Sequence, residues 1–290
     1  MDLAVFLGEL IDSGKASSTV RVYRAAICTT LRQLGRPYFS EDPLLRDSLK
    51  GASNEEARSP RRFPAWDLFL VLRSLKVFPY EPISGSELKF LSFKTLFLVA
   101  LASGRRMSEV TNLSGLPKDI SKDPDGSYSL KFLPEFLAKN QRPGDPSPSI
   151  RIPPLPKGPD FSLCPVRALK RYLVISKPSR KNRRQLFLSL NPDHRKDISV
   201  NTLSRWLREV ISHAYENVAE VNPRPHEVRA WSSSLALTLN SSMKEILAAA
   251  YWRSESPFIR HYMRDVTSQR EDGDFSISSF AVAQQTFSLN

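Results

Sequence analysis

Residues 88–110 read LKFLSFKTLFLVALASGRRMSEV, and the way this stretch folds decides the architecture. From Leu88 to Ser103 apolar side chains fall on almost every side of a helix. That pattern belongs to a helix buried at the centre of a domain, not to an amphipathic one at its surface. Gly104 breaks the run, and Arg105, Arg106, Ser108 and Glu109 follow at once, so charged groups leave directly from the end of a core element. A Gly-Arg-Arg string by itself is an ordinary helix end whose cations offset the C-terminal dipole, so its meaning depends on its company.

Working outward, Ala65 to Val77 repeats apolar residues at helical spacing. Beyond the quoted stretch, Tyr128 to Phe132 alternates polar and apolar, and Ile150 and Ile152 alternate again before Pro153. A small antiparallel sheet with a long, Pro-rich turn is expected within residues 120–155. Arg167 to Ile175 and Val200 to Ala214 read as amphipathic helices, the second presenting Leu203, Leu207, Val210 and Ile211 on one face. His226 to Leu239 and Met243 to Trp252 continue the helical pattern, while Phe275 to Asn290 is weakly apolar and suits a tail that packs on something else. Upstream, Asp2 to Ile11, a longer helix from Ser17 or Ser18 to Gly35, and Glu41 to Leu49 form a small helical unit. The segment Gly51 to Pro64 reads as the linker after it, so a domain boundary is expected near residue 60. The expected fold is mainly α with a small antiparallel β-sheet, without internal repeats.

The chain has 290 residues, 41% of them apolar and 25% charged, which excludes disordered and fibrous classes. A net charge of +12 favours a polyanionic partner. Basic and acidic residues balance before residue 61, so the whole excess lies in residues 61–290. Phe161 to Leu190 contains Lys and Arg but no acidic residue, including the run Arg180, Lys181, Arg183 and Arg184, which reads as a phosphate-tracking stripe, a nuclear import signal or a solvated loop. Two distant cysteines, Cys28 and Cys164, make no disulfide framework. The longest apolar stretch, near Leu96 to Leu101, is too short to span a bilayer, and the N-terminus lacks signal-peptide features. The expectation is a soluble intracellular protein.

Arg106, His226, Arg229 and Tyr262 stand in chain order with a Lys and a Trp between them. A phosphodiester under attack gathers negative charge on its equatorial oxygens, so its catalyst needs fixed cations there and a proton donor for the leaving oxygen. A tyrosine phenol can attack and store the energy of the broken bond in a covalent link, which lets a second hydroxyl reseal the strand without ATP. His226 and Arg229 lie in Pro225-His226-Glu227-Val228-Arg229-Ala230-Trp231-Ser232, a spacing that puts both on one helical face. Taken singly, each of these residues reads equally as a surface or core side chain. No acidic triad and no His and Cys cluster suggests metal ions or a cofactor.

Together these strings resemble the tyrosine recombinase and phage integrase family. Gly104 to Val110 is similar to its first catalytic box, with Arg106 in the catalytic place and Arg105 in the variable one, and His226 and Arg229 match the second box. In Tyr251-Trp252-Arg253-Ser254 and the following Phe258, Arg260, His261, Tyr262 and Met263, Trp252 matches the hydrogen-bonding position and Tyr262 the nucleophile. The ten positions between them are one more than usual; Tyr251 sits where a Gly commonly stands. Ala138-Lys139-Asn140-Gln141-Arg142 followed by Ile150-Arg151-Ile152-Pro153 resembles the family hairpin, which selects Lys139 over Lys131 and Lys157 as the acid for the leaving 5′ oxygen. Arg105 and Arg142, with Arg180, Lys181, Arg183 and Arg184, are assigned to DNA contact. Pro64-Ala65-Trp66-Asp67, Lys94 to Arg106, Phe132 to Pro153, and Trp252 to Asp265 look like the recombinases of DIRS-type and related eukaryotic retrotransposons.

The resemblance implies a tyrosine recombinase catalytic fold over residues 61–290, preceded by a small helical, SAM-like core-binding domain over residues 1–60, the two closing as a C-shaped clamp on duplex DNA. It implies a site-specific recombinase acting in the nucleus as a homotetramer on DNA, without membrane or cofactor, with residues 266–290 as a docking tail. The family's N-terminal domain usually has four or more helices, so the part before residue 60 fits a fragment of a polyprotein, or a truncated or domesticated copy. The rival expectations are an inert DNA-binding descendant, which predicts loss of at least one catalytic residue, and a nuclear RNA-binding protein, whose aromatic-rich strand pair is missing from the sequence.

Overall fold

The computed structural model describes residues 3–36, 43–55, 64–142, 144–146, 148–181, 183–191, 197–215 and 223–266. Backbone packing divides the chain into two compact units, Met1–Pro60 and Arg61–Asn290. The first contains α1 (Leu3–Asp12), α2 (Ser17–Gln33) and α3 (Pro43–Glu55). Its small core gathers Leu7, Val20 and Leu49. Helix α2 opens at Ser17, one of the two starts expected; Ala16 precedes it without a side-chain cap, and Ser17 is buried in the first turn. Its end obeys the glycine expectation, with Gly35 at φ 63°. The expected linker begins too early at Gly51, because α3 runs through Gly51 to Glu55; a mid-helix glycine costs only about 1 kcal/mol and is tolerated.

The second unit contains α4 (Leu68–Ser74), α5 (Leu88–Ser103), α6 (Met107–Thr111), β1 (Ile120–Lys122), β2 (Tyr128–Lys131), β3 (Ser149–Ile152), α7 (Pro165–Ser176), α8 (Val200–Ser212), α9 (Glu227–Thr238), α10 (Met243–Ala250) and α11 (Glu255–His261). Helix α5 has the bounds that the sequence implies, and every residue from Leu91 to Ser103 is buried. It packs against α7, α8, α9 and β3, which is why no side of it stays polar. Its three hydroxyls turn back on the helix, Ser92 donating to the Leu88 carbonyl at 2.6 Å, Thr95 to that of Leu91 at 2.7 Å and Ser103 to that of Ala100 at 3.4 Å.

Lys94 is the exception in this core, fully buried, donating to Glu81 at 2.5 Å and to the Leu75 carbonyl at 2.7 Å. Burial lowers its pKa to about 8 against the opposing pull of Glu81. Burial pushes the Glu81 carboxyl up, but its bonds with Arg167, at 2.6 and 3.0 Å, and with Lys94 outweigh this and hold it below its ordinary value.

The sheet is antiparallel in the order β1-β2-β3, with Leu130 opposite Ile120 on one side and Ile150 on the other. Strand β1 escapes sequence reading because three residues carry no period. Helix α4 is shorter than the Ala65 to Val77 pattern: Asp67 caps its start by accepting from the Phe69 and Leu70 amides, and Pro79 and Pro82 prevent a helical continuation. Among the described residues no helix is long and apolar enough to cross a membrane. The mainly helical fold with a small antiparallel sheet is as expected. Of the proposed tail 266–290, only Val266, which is buried, falls among the described residues.

Candidate active site

Three chain segments bring the residues singled out in the sequence to one cavity of about 250 Å³. The first is the end of α5. Gly104 takes a left-handed φ of 57°, which stops the helix and turns the chain so that Arg106 stands extended ahead of α6. Glu109, fully buried one turn into α6, accepts from the Arg106 backbone amide at 3.0 Å and from its guanidinium at 3.2 Å. The Glu of the Arg-x-x-Glu string therefore aims the arginine and offsets part of its charge.

The second segment is the start of α9. His226 occupies the position before the first helical residue and is exposed at the cavity. Glu227 points the other way, fully buried, and accepts from the Ala65 amide at 3.1 Å. Trp231, also fully buried, packs on Trp66 and Phe69. These anchors set the rotation of the helix and thereby place Arg229, 4% exposed, against the cavity.

The third segment runs from α10 to Tyr262. Tyr251 ends α10 in the left-handed region, φ 56°, where a glycine would be easier. Trp252 follows, its ring packed at 5.4 Å from Phe258 and 5.1 Å from Tyr262. The Arg229 guanidinium lies 4.1 Å from the Trp252 ring centroid and 5.3 Å from that of Tyr262, and donates to the Ala250 carbonyl at 2.8 Å. Ser234 of α9 ties the far end: its hydroxyl donates to the Tyr262 carbonyl at 3.1 Å and accepts from the Arg264 amide at 2.8 Å.

Arg105, Arg106, His226, Arg229 and Tyr262 all line the cavity. Trp252 does not; it supports Arg229 and Tyr262 from the side. Burial lowers the Arg229 pKa to about 10, with the neighbouring charge of Arg106 acting in the same direction. Burial likewise lowers that of Arg105. The chemical character is that of a partly desolvated cluster of guanidiniums beside a phenol, prepared for an oxyanion.

Lys139 is exposed on the turn after β2 and is not part of the cavity wall. Its loop is tethered beside it: Asn140 donates to the Tyr251 carbonyl at 2.8 Å, and Arg253 donates to the Asn140 carbonyl at 3.0 Å. The hairpin is thus fastened to the residues that flank Trp252. None of Arg142, Arg180, Lys181, Arg183 and Arg184 lines the cavity. Arg142 and Lys181 are exposed, Arg183 is half-buried, and Arg184 is exposed and pairs with Glu135 at 2.9 Å.

Arg180 is tied into the fold. Its guanidinium donates to Ser176 at 3.0 Å and to the Gln185 and Leu186 carbonyls at 3.2 and 2.8 Å, over the Tyr172 ring, so it is a structural brace. Sequence reasoning also missed Ser204 and Arg208, one turn apart on α8, which complete the cavity wall. The only signal for them was their place off the apolar face of that helix.

Solved structures with a similar fold share little sequence with this chain. XerH site-specific recombinase, in a post-cleavage complex with palindromic difH substrate, is 16% identical with a TM-score of 0.60, over 90% of this chain and 68% of that one. A lambda integrase dimer bound to a COC′ core site gives 16% and 0.50, over 88% of this chain and 61% of that one. XerA recombinase gives 14% and 0.50, over 93% and 95%. No protein-family model and no curated protein matches the sequence. The likenesses identify the fold as that of the tyrosine recombinases.

Proposed function

We propose that the chain is a site-specific DNA recombinase that cuts and rejoins duplex DNA through a 3′-phosphotyrosyl intermediate. The observation that carries this reading is the convergence of Arg106, His226, Arg229 and Tyr262 on one cavity from three separate chain segments. In this reading Arg106 and Arg229 hold the non-bridging oxygens of the scissile phosphate. The Tyr262 hydroxyl attacks phosphorus and gives up its proton, with His226 as acid or base. The bond from phosphorus to the 5′ oxygen breaks, and Lys139 protonates that oxygen as it leaves. Lys139 reaches the cavity by extension of its exposed side chain once DNA is bound. Attack of a 5′ hydroxyl on the phosphotyrosine reverses the steps and reseals a strand without ATP.

The quoted resemblance to DIRS-type recombinases supports integration of a mobile element in a nucleus as the biological task. Residues 1–60 then serve as a core-binding domain and residues 61–290 as the catalytic one. Residues 266–290 serve as the segment that docks protomers of a homotetramer on DNA. The known complexes of XerH and lambda integrase with DNA support duplex DNA as the partner.

The test is a suicide-substrate assay on nicked duplexes with randomised flanks, so that an unknown target sequence does not decide the outcome. Wild-type protein is expected to give a DNA-linked band on a denaturing gel, and Tyr262→Phe to bind without giving one. Binding without a covalent band in either protein would instead identify an inert DNA-binding descendant.

A further inference from the structure

We propose that Arg105, between the glycine stop of α5 and Arg106, is a third donor to the oxyanion held in the cavity; the inference rests on the reading of the site just given. The other two arginines have conventional supports, Arg106 from the Glu109 carboxylate and Arg229 from the Ala250 carbonyl. Arg105 is 7% exposed, and its Nε and Nη1 are buried with no hydrogen-bond partner. Its remaining nitrogen makes one long bond, 3.4 Å to the Ser149 carbonyl. Among the described residues no carboxylate pairs with it; Glu109, the closest influence of opposite sign, is already engaged by both the amide and the guanidinium of Arg106.

A desolvated cation with two unanswered donors is unfavourable unless a ligand answers them. Arg229 shows the same signature on the same cavity, its Nε and Nη1 also without partners. Two arginines left with the same pair of free N–H groups, both lining one space, call for one acceptor with several oxygens. A phosphodiester or another tetrahedral oxyanion has that form.

Tyr251 supplies the support that Arg105 otherwise lacks. Its ring lies 5.0 Å from the Arg105 guanidinium, and it takes a strained left-handed conformation in doing so, φ 56°. Its carbonyl accepts from Asn140, which links this stack to the loop carrying Lys139. The position before the catalytic arginine, variable in the resemblance, is here a built anion contact.

Titration calorimetry with sodium sulfate, at an ionic strength held constant with sodium chloride, tests this on the full chain. Arg105→Gln is expected to weaken sulfate binding at least tenfold, as is Arg106→Gln, while Arg184→Gln on the surface leaves it unchanged. If Arg106→Gln loses binding and Arg105→Gln keeps it, the inference fails and the reading of the site stands. If both bind sulfate like the wild type, the cavity is not an anion site and the reading fails with the inference. Should Arg105→Gln not fold, wild-type crystals soaked in sulfate decide the matter. An ion within hydrogen-bond reach of Arg105 supports the inference, and an ion held without it, or none at the site, overturns it.

Discussion

Arg229 is fixed by three weak restraints at once: the Ala250 carbonyl, the Trp252 face and the Tyr262 ring. A lysine keeps the charge but not the flat stacking surface or the fork of donors, so Arg229→Lys is expected to fold yet lose about 100-fold or more in covalent complex formation, measured by single-turnover gel assay. The sequence singled out His226 and Arg229 by their helical spacing and Arg106 and Tyr262 through the resemblance to the recombinase boxes, and all four line the cavity. It could not show that Arg180 is spent on Gln185 and Leu186, or that Arg208 faces the cavity, since an arginine's partner is set by tertiary packing. Lys94 gives a pH prediction. Its folded pKa, about 8, lies below its unfolded value, so the unfolded chain binds the extra proton between these two pH values and stability rises with pH there. The penalty is fully present below pH 8. Thermal midpoints measured from pH 7.5 to 9.5 are expected to rise in the wild type relative to Lys94→Met, whose side chain cannot titrate.

At the scale of elements, α5 was legible end to end because thirteen consecutive buried residues leave an unmistakable apolar run. The limits of α4 depended on an Asp67 cap and two downstream prolines, signals present in the sequence but overridden there by the apolar period. Close approaches between elements were not legible at all. Gly115 allows the chain near Gln185 to pass: a methyl group there would collide with the Arg180 guanidinium and stand 2.6 Å from the Gln185 carbonyl oxygen. Gly115→Ala is expected to cost about 2 kcal/mol by overpacking, read as a lower urea midpoint with an unchanged slope. Ser234 joins α9 to the chain leaving Tyr262 through two hydrogen bonds. Ser234→Ala is expected to cost about 1 kcal/mol per bond and to lower amide-exchange protection at Tyr262–Val266 more than in α5. Equal loss in both places would mean that the serine supports the whole unit and not the segment of Tyr262.

Across the whole molecule, a charge of +12 carried entirely beyond residue 60 predicts that duplex binding weakens steeply with salt, by about 0.9 in log K per log salt for each phosphate neutralised. Net charge does not say which cations do this, and the run from Arg180 to Arg184 separates two roles that look alike in sequence. Lys181 is exposed, whereas the half-buried Arg180 guanidinium donates to Ser176 and to the Gln185 and Leu186 carbonyls. Counterion release requires a cation that leaves water for phosphate, and Arg180 already has part of its hydrogen-bonding capacity engaged by carbonyls. Lys181→Gln is therefore expected to flatten the salt slope by about one phosphate equivalent at unchanged melting temperature. Arg180→Gln is expected to do the reverse, lowering the melting temperature while leaving the slope as it was. Fluorescence anisotropy on a labelled duplex across a salt series, paired with thermal melts, measures both. A flattened slope for a well-folded Arg180→Gln would return that residue to the DNA-facing set.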